Sequence, residues 1–263
     1  MFGLENLRGE VIWLTGASGG LGPGIAKRFA EAGFRLALHT HSQRDRAKRL
    51  AASLTKAGHE IIVTNGNLLD EGVADTVVDQ IEQLLAPPYA LVHLAGPFVR
   101  KPVIEHSREE FDTMLNGNLT TLFESIRAVV PGMRNRGTGR IVSVAMAGAH
   151  HTQPMRLTGP HLAAKSGVVA LTRTLALEEA QHGITANIIS PGNIKQKELN
   201  REQSRQVKGG ASYPMGHPGS YDDLADAMLF LLSLAASHVT GSVLEVTGGW
   251  MGDDWHPHDH HHG

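Results

Sequence analysis

The segment Thr15-Gly16-Ala17-Ser18-Gly19-Gly20-Leu21-Gly22 closes an apolar run and opens a helical pattern, a spacing suited to holding phosphate. Glycines there allow a tight turn and let backbone approach an anion closely. A helix that starts at the turn aims its free N–H groups and the positive end of its dipole at the same point. A glycine-rich stretch alone is weak evidence, but its place between a strand and a helix at the start of a βαβ unit is the context such a site needs. Thiolate chemistry is excluded, because the chain has no cysteine. Five of its 16 histidines crowd the end, at 256, 258, 260, 261 and 262. They read as an affinity tag or floppy tail, or alternatively as a surface site for zinc, nickel or copper. Neither reading ties them to the phosphate turn, so no metal enters the expected mechanism.

The elements that must position this turn follow from hydrophobic periodicity. Short apolar runs at Val11–Thr15, Arg35–His39, Glu60–Thr64, Ala90–Ala95, Arg140–Val144, Thr185–Ser190 and Ser242–Val246 read as strands. Most are continuously apolar, as in parallel sheets covered on both faces. Between them fall helical segments at Gly22–Ala32, Arg44–Ala57, Val73–Leu85, Ser107–Val130 (interrupted by Gly117), Pro160–His182 and Tyr221–Ala236. Pro23 suits a first helical turn. The expected fold class is α/β: a Rossmann-type, doubly wound parallel sheet of about seven strands with helices on both faces. Residues 1–250 read as one domain and 251–263 as a His-rich tail. The polar, glycine-rich stretch Gly192–Ser220 follows the carboxyl end of a strand, where open α/β sheets bind ligands, and is expected to be a lid.

Composition narrows the function classes. Apolar residues make up 41% and charged residues 19%, the balance of a globular protein. With 24 Lys plus Arg against 26 Asp plus Glu there is no basic field for nucleic acid. No apolar stretch approaches the roughly 18 residues of a membrane span, and the N-terminus lacks signal-peptide character, so the expected location is the cytoplasm.

The turn's TGxxxGxG spacing resembles the short-chain dehydrogenase/reductase family, and the resemblance covers nearly the whole chain. The family's NNAG reads His93-Leu94-Ala95-Gly96, matching in its second half. Asn118, in Asn116-Gly117-Asn118-Leu119, takes the position of the family's catalytic asparagine. Lys165, in His161-Leu162-Ala163-Ala164-Lys165, takes that of the lysine in YxxxK. Pro191-Gly192-Asn193-Ile194 and Val246-Thr247-Gly248-Gly249 look like the family's later motifs. The similarity is strongest to reductases of 3-oxoacyl thioesters.

The resemblance implies a catalytic set in which Asn118 and Lys165 are kept and two residues are exchanged. His161 stands at the tyrosine position and Met146 at the serine position. An imidazole titrates near ~6.5 and can exchange protons at neutral pH, and a Lys165 ammonium beside it would favour the neutral ring. A thioether, by contrast, is no useful donor. The segment Ala147–Pro160 offers His150, His151, Thr152, Gln153, Arg156 and Thr158 as substitutes.

For cofactor binding, the resemblance points to Gly16, Ser18, Gly19, Gly20, Leu21 and Gly22 at the turn. It adds Asn67 and Leu68 at the adenine, Ala95 and Gly96 after the fourth strand, and Lys165, Pro191, Gly192 and Ile194. Thr40 stands where an NAD-preferring relative carries an acid, with His41 and Ser42 beside it, which favours NADP(H) over NAD(H). The expected activity is NADP(H)-dependent oxidoreduction of a small-molecule carbonyl/alcohol pair. The alternative is a dinucleotide-binding protein without catalysis, acting as a cofactor sensor or scaffold. Neither nucleic acid nor membrane is an expected partner. The resemblance also implies a homotetramer or homodimer, joined through the helices at Ser107–Val130 and Pro160–His182.

Overall fold

The computed structural model describes residues 3–194, 197–208 and 213–250. Seven strands form one parallel sheet: β1 (Val11–Thr15), β2 (Arg35–Thr40), β3 (Ile61–Asn65), β4 (Ala90–His93), β5 (Gly139–Val144), β6 (Ile184–Pro191) and β7 (Val243–Val246). Their order is β3-β2-β1-β4-β5-β6-β7, so the sheet reverses direction of growth between β1 and β4. In such sheets the crevice at that switch point, outside the carboxyl ends, is where ligands bind.

The helices are α1 (Gly22–Glu31), α2 (Arg44–Lys56), α3 (Val73–Leu84), α4 (Arg108–Leu115), α5 (Thr121–Arg136), α6 (Gly159–Glu179), α7 (Arg201–Gln206) and α8 (Tyr221–Leu232). Alternation along the strands divides the core. Ile12, Leu14, Leu36, Leu38 and Val92 face α1, α2 and α8. Trp13, Ala37, Leu91 and Ile141 face α3, α5 and α6. Phe29 of α1 is fully buried in the first layer, and its truncation to alanine would cost about 3–5 kcal/mol. Gly24 of α1 packs on the Tyr221 ring, where a Cβ would come within 2.2 Å of ring carbon, so α1 and α8 meet at a contact only glycine permits.

The expected helix at Ser107–Val130 is three pieces. A capping box between Ser107 and Glu110 starts α4. Residues Asn116–Thr120 form a π-helical turn, and α5 then continues to Arg136. Gly117 does not end the helix. It lets the turn lie against Pro97, where a Cβ would sit 2.5 Å from Pro97 Cδ. Pro131 lies inside α5 rather than ending it at Val130; its exposed position costs one backbone bond while Met133 beyond it is buried. In the expected lid, α7 occupies Arg201–Gln206 and is tied to α8 by ion pairs from Arg201 to Asp223 (2.8 Å) and Asp226 (2.6 Å). Arg28 of α1 reaches the other oxygen of Asp226 at 2.7 Å. The His-rich tail lies outside the described residues, and no described helix is long and apolar enough to cross a membrane.

Candidate active site

A cavity of about 1030 Å³ opens at the carboxyl ends of β1, β2 and β4, beside the start of α1. Gly16, Ser18, Gly19, Gly20, Leu21 and Gly22 all line it. Gly16 adopts φ +68°, and a Cβ there would press on the Ala95 backbone nitrogen at 2.8 Å, so packing and conformation both demand glycine. Gly19 is different. Its φ is not left-handed and a Cβ would meet nothing within 4 Å. Only the cavity in front of Gly19 would be reduced by a side chain, which is the arrangement a close-approaching phosphate needs.

The same cavity brings together Thr40, His41, Ser42, Asn67, Leu68, Ala95 and Gly96 from the expected set. Thr40 Oγ1 and Ser18 Oγ lie 2.8 Å apart, joining the end of β2 to the glycine turn. Asn67 does not project a free amide: its Nδ2 donates to Asp70 Oδ1 at 2.9 Å. Pro191, Gly192 and Ile194 stand outside this lining; Gly192 N donates to Val246 O at 3.0 Å, beside β7.

Asn118, His161 and Lys165 are not in the cavity lining themselves; they lie behind Pro97 and Val144, bonded to the carbonyls of those two lining residues. Asn118 is fully buried, and its Nδ2 donates to the carbonyls of Pro97 (3.0 Å) and Met114 (2.9 Å). Its Oδ1 has no partner among the described residues and fills the space Gly96 leaves, where a Cβ would lie at 2.1 Å. Lys165, almost buried on α6, donates from Nζ to Val144 O at 2.7 Å. Burial pushes its ammonium down to about 8. His161, one helical turn earlier, is 8% exposed. Burial chiefly, and then the Lys165 charge, lower it to about 4, against a smaller opposing pull from the Pro97 carbonyl. It is therefore a neutral imidazole at physiological pH, able to accept a proton and, as a neutral N–H, to donate a hydrogen bond.

Met146 packs against the cluster of Ala145, Ala149, Val169 and Ile188 and brings no hydroxyl to the wall. Ser143 is no substitute: it lies on the α6 side, but it is fully buried and bonded to Thr172 at 2.9 Å. Nor are the loop candidates aimed inward as a set. Thr158 bonds to Met155 O, Thr152 to His151 O, and the His150 and His151 rings lie against each other at 3.8 Å. Of the tyrosines, Tyr89 donates to Leu232 O and Tyr221 packs on Gly24, both away from His161. Among the described residues no three His, Asp or Glu side chains are grouped to hold a metal.

Many lining residues lie outside the expected set, Lys197 and His39 among them. Lys197, in the stretch after β6, lies over the glycine turn, with Cδ 3.2 Å and Nζ 3.5 Å from a Cβ built on Gly20. His39 lines the cavity from β2, with Nδ1 3.0 Å from Thr64 Oγ1. The alternation of β2 places His39 in the covered layer, which is a readable signal. Nothing local to Lys197 marks it.

Comparison with known proteins decides the family. Residues 16–251 match the family model described as enoyl-(acyl carrier protein) reductase. The chain belongs to the short-chain dehydrogenase/reductase family. It is 32% identical to the 3-oxoacyl-(acyl-carrier-protein) reductase FabG of Vibrio cholerae over 249 residues, covering 93% of this chain and 98% of that protein. It is 29% identical to FabG of Buchnera aphidicola over 248 residues, covering 93% and 98%. Among solved structures, a variant of the actinorhodin polyketide ketoreductase, described with NADPH, superposes with TM-score 0.83 at 28% identity, covering 93% and 98%.

Proposed function

We propose that this short-chain dehydrogenase/reductase is an NADP(H)-dependent oxidoreductase for a carbonyl/alcohol pair, with His161 in place of the usual tyrosine. The observation that carries the reading is Gly19: a glycine required neither by φ nor by packing, facing a cavity at the switch point of the sheet. The residues present fit a nicotinamide dinucleotide. Gly19, Gly20 and the start of α1 would hold the pyrophosphate, Asn67 and Leu68 would border the adenine, and Ala95, Gly96 and Lys165 would hold the nicotinamide half. Pro191, Gly192 and Ile194 would close its far side. The bound dinucleotide supplies the hydride that is exchanged with the substrate carbon.

The chain's own residues manage the proton. In alcohol oxidation the neutral His161 ring would take the hydroxyl proton as hydride leaves the carbon and pass it on to water; in carbonyl reduction the ring would draw a proton from water and give it to the oxygen. Lys165, beside it, holds the ring neutral between turnovers and binds sugar hydroxyls with the donors Val144 O leaves free. Asn118 fixes the Pro97 carbonyl against which His161 rests. The cofactor form is read from the end of β2: Thr40, His41 and Ser42 line the cavity, and the acid that would repel a 2′-phosphate is missing from that row. The NADPH of the ketoreductase neighbour points the same way.

One observation favours a second reading, a dinucleotide-binding protein without turnover. Met146 stands at the position of the hydroxyl that would polarise a carbonyl, and it packs in an apolar cluster. NADPH and NADH titrations followed by NADPH oxidation against 3-oxoacyl thioesters, quinones and pterins separate the readings. Turnover that His161→Phe abolishes, with NADPH affinity kept, supports the enzyme. NADPH binding without turnover supports the second reading, and binding of neither dinucleotide overturns both.

A further inference from the structure

A row of polar side chains crosses the sheet one step below the cavity. Strand register places Thr64, His39, Thr15, His93 and Ser143 side by side on five adjacent strands, each at most 2% exposed. His93 is the member with bonds from both ring nitrogens. Its Nδ1 lies 3.0 Å from Thr15 Oγ1, and its Nε2 lies 3.3 Å from Thr121 Oγ1.

The neighbours decide which nitrogen carries the proton. Thr121 spends its single hydroxyl hydrogen on Gly117 O, at 2.8 Å. Toward His93 it can then only accept, so Nε2 must be the donor. A neutral ring protonated at Nε2 has a bare Nδ1, which accepts the hydroxyl hydrogen of Thr15. The oxygen of Thr15 in turn accepts from Ala95 N at 3.4 Å. The result is one unidirectional chain: Ala95 N–H to Thr15, Thr15 to His93, His93 to Thr121, Thr121 to Gly117 O. Every donor has an acceptor, and the opposite tautomer would leave the bare Nε2 facing a lone pair of Thr121 Oγ1, with no hydrogen between them.

The two ends of this chain both lie in the lining of the cavity. Ala95 begins the Ala95–Gly96 strip, and Gly117 sits in the π-helical turn that carries Asn118. The two segments meet where the Asn118 carboxamide fills the space left by Gly96, beside the contact of Gly117 with Pro97. A small slip of the turn along the strip would therefore move Asn118 out of place.

We propose that His93, held as the Nε2–H tautomer, is a positioning residue that fixes the Asn118 turn against the Ala95–Gly96 strip. Thr121 is its relay to the turn. The inference rests on the dinucleotide reading only in treating these walls as a cofactor site; the bond chain itself does not depend on it.

The test is made on the full chain without ligand. Nitrogen NMR of histidine-labelled protein should show His93 as a single Nε2–H tautomer. In Thr121→Val, which keeps the side-chain volume, amide exchange at Gly117 and Asn118 should rise at least about tenfold while exchange in β6 stays unchanged; Thr121→Ser should restore it. An Nδ1–H or charged His93 overturns the proposal. So does exchange at the turn that Thr121→Val leaves unaltered, or a rise shared equally by β6, which marks general destabilisation. An NADPH titration of the same samples tests the cofactor reading separately: wild-type protein that shows the tautomer and the local exchange effect but binds no NADPH keeps the positioning role and removes the cofactor one.

Discussion

The Phe98 ring stands edge-on to the His161 imidazole, with 4.7 Å between centroids and 65° between planes. Phe98 is itself half exposed, at 53%, so it shields the histidine from one side while facing solvent with the other. Burial is the largest cause of the lowered His161 pKa. Phe98→Ala should therefore move that pKa up from about 4 toward the ordinary histidine value. Proton NMR titration of the ring reads the shift, and an unmoved titration would assign the effect to Lys165 instead.

Gly19 separates folding from binding. Gly19→Val meets no neighbour and requires no left-handed backbone, so stability should change by no more than about 0.5 kcal/mol. Dinucleotide affinity should fall by about tenfold or more, since the new side chain occupies the space in front of the turn. Gly16→Ala should do the reverse in part, costing about 1–3 kcal/mol through strain at φ +68° and pressure on Ala95. Urea unfolding and NADPH titration of both variants distinguish the two.

Lys197 adds a full charge where the glycine turn offers only dipoles. Lys197→Met should weaken NADPH binding by about tenfold at low salt, with the gap to wild type narrowing as salt screens the interaction. Equal affinities at low salt would place the ammonium in solvent.

Thr40→Asp places an acid where a 2′-phosphate would lie. NADPH affinity should drop by roughly a hundredfold while NADH affinity changes little. The Ser18 hydroxyl, 2.8 Å from Thr40 Oγ1, can still donate to the new carboxylate, so the turn keeps its tie to β2. Paired titrations measure the reversal; unchanged NADPH binding would move the phosphate elsewhere.

Three buried histidines make stability depend on pH. Burial lowers His93 to about 3, and His39 and His161 to about 4, below the ordinary 6.5 of an unfolded chain. The unfolded state therefore binds protons first. Stability is fully present above pH 6.5 and falls as pH drops toward 4, by about 1.4 kcal/mol per pH unit for each histidine. Urea midpoints at pH 7.0 and 5.0 should differ, and His93→Gln should shrink the difference. A flat profile between those values would show that the rings titrate in the fold as they do in the unfolded chain.

The apolar runs and the glycine turn make the sheet legible in the amino-acid sequence, because continuous burial on two faces leaves an unmistakable pattern at β1, β4 and β6. Lys165 and His161 are legible through the resemblance to the family's YxxxK, and their four-residue spacing puts them on one face of α6. The π-helical turn is not. Gly117 looks like a helix breaker, and only its contact with Pro97 shows why the helix widens instead. Thr121 is hidden for a related reason: its role depends on His93, 28 residues away and on another element. Lys197 acts through a stem that crosses from the stretch after β6 to the glycine turn, and no periodicity records such a reach.

The contact of Gly24 with Tyr221 also sets a schedule for synthesis. The apolar side of α1 is complete early, yet the helix that covers it emerges about 190 residues later, from Glu31 to Tyr221. At ribosomal speeds of about 5–20 residues per second that is a wait of roughly 10–40 s. During it the nascent chain carries Phe29 and Ile25 without α8 over them. The finished layer can form only once α8 has left the ribosome, so for that whole interval this side of α1 is an apolar surface open to other chain segments.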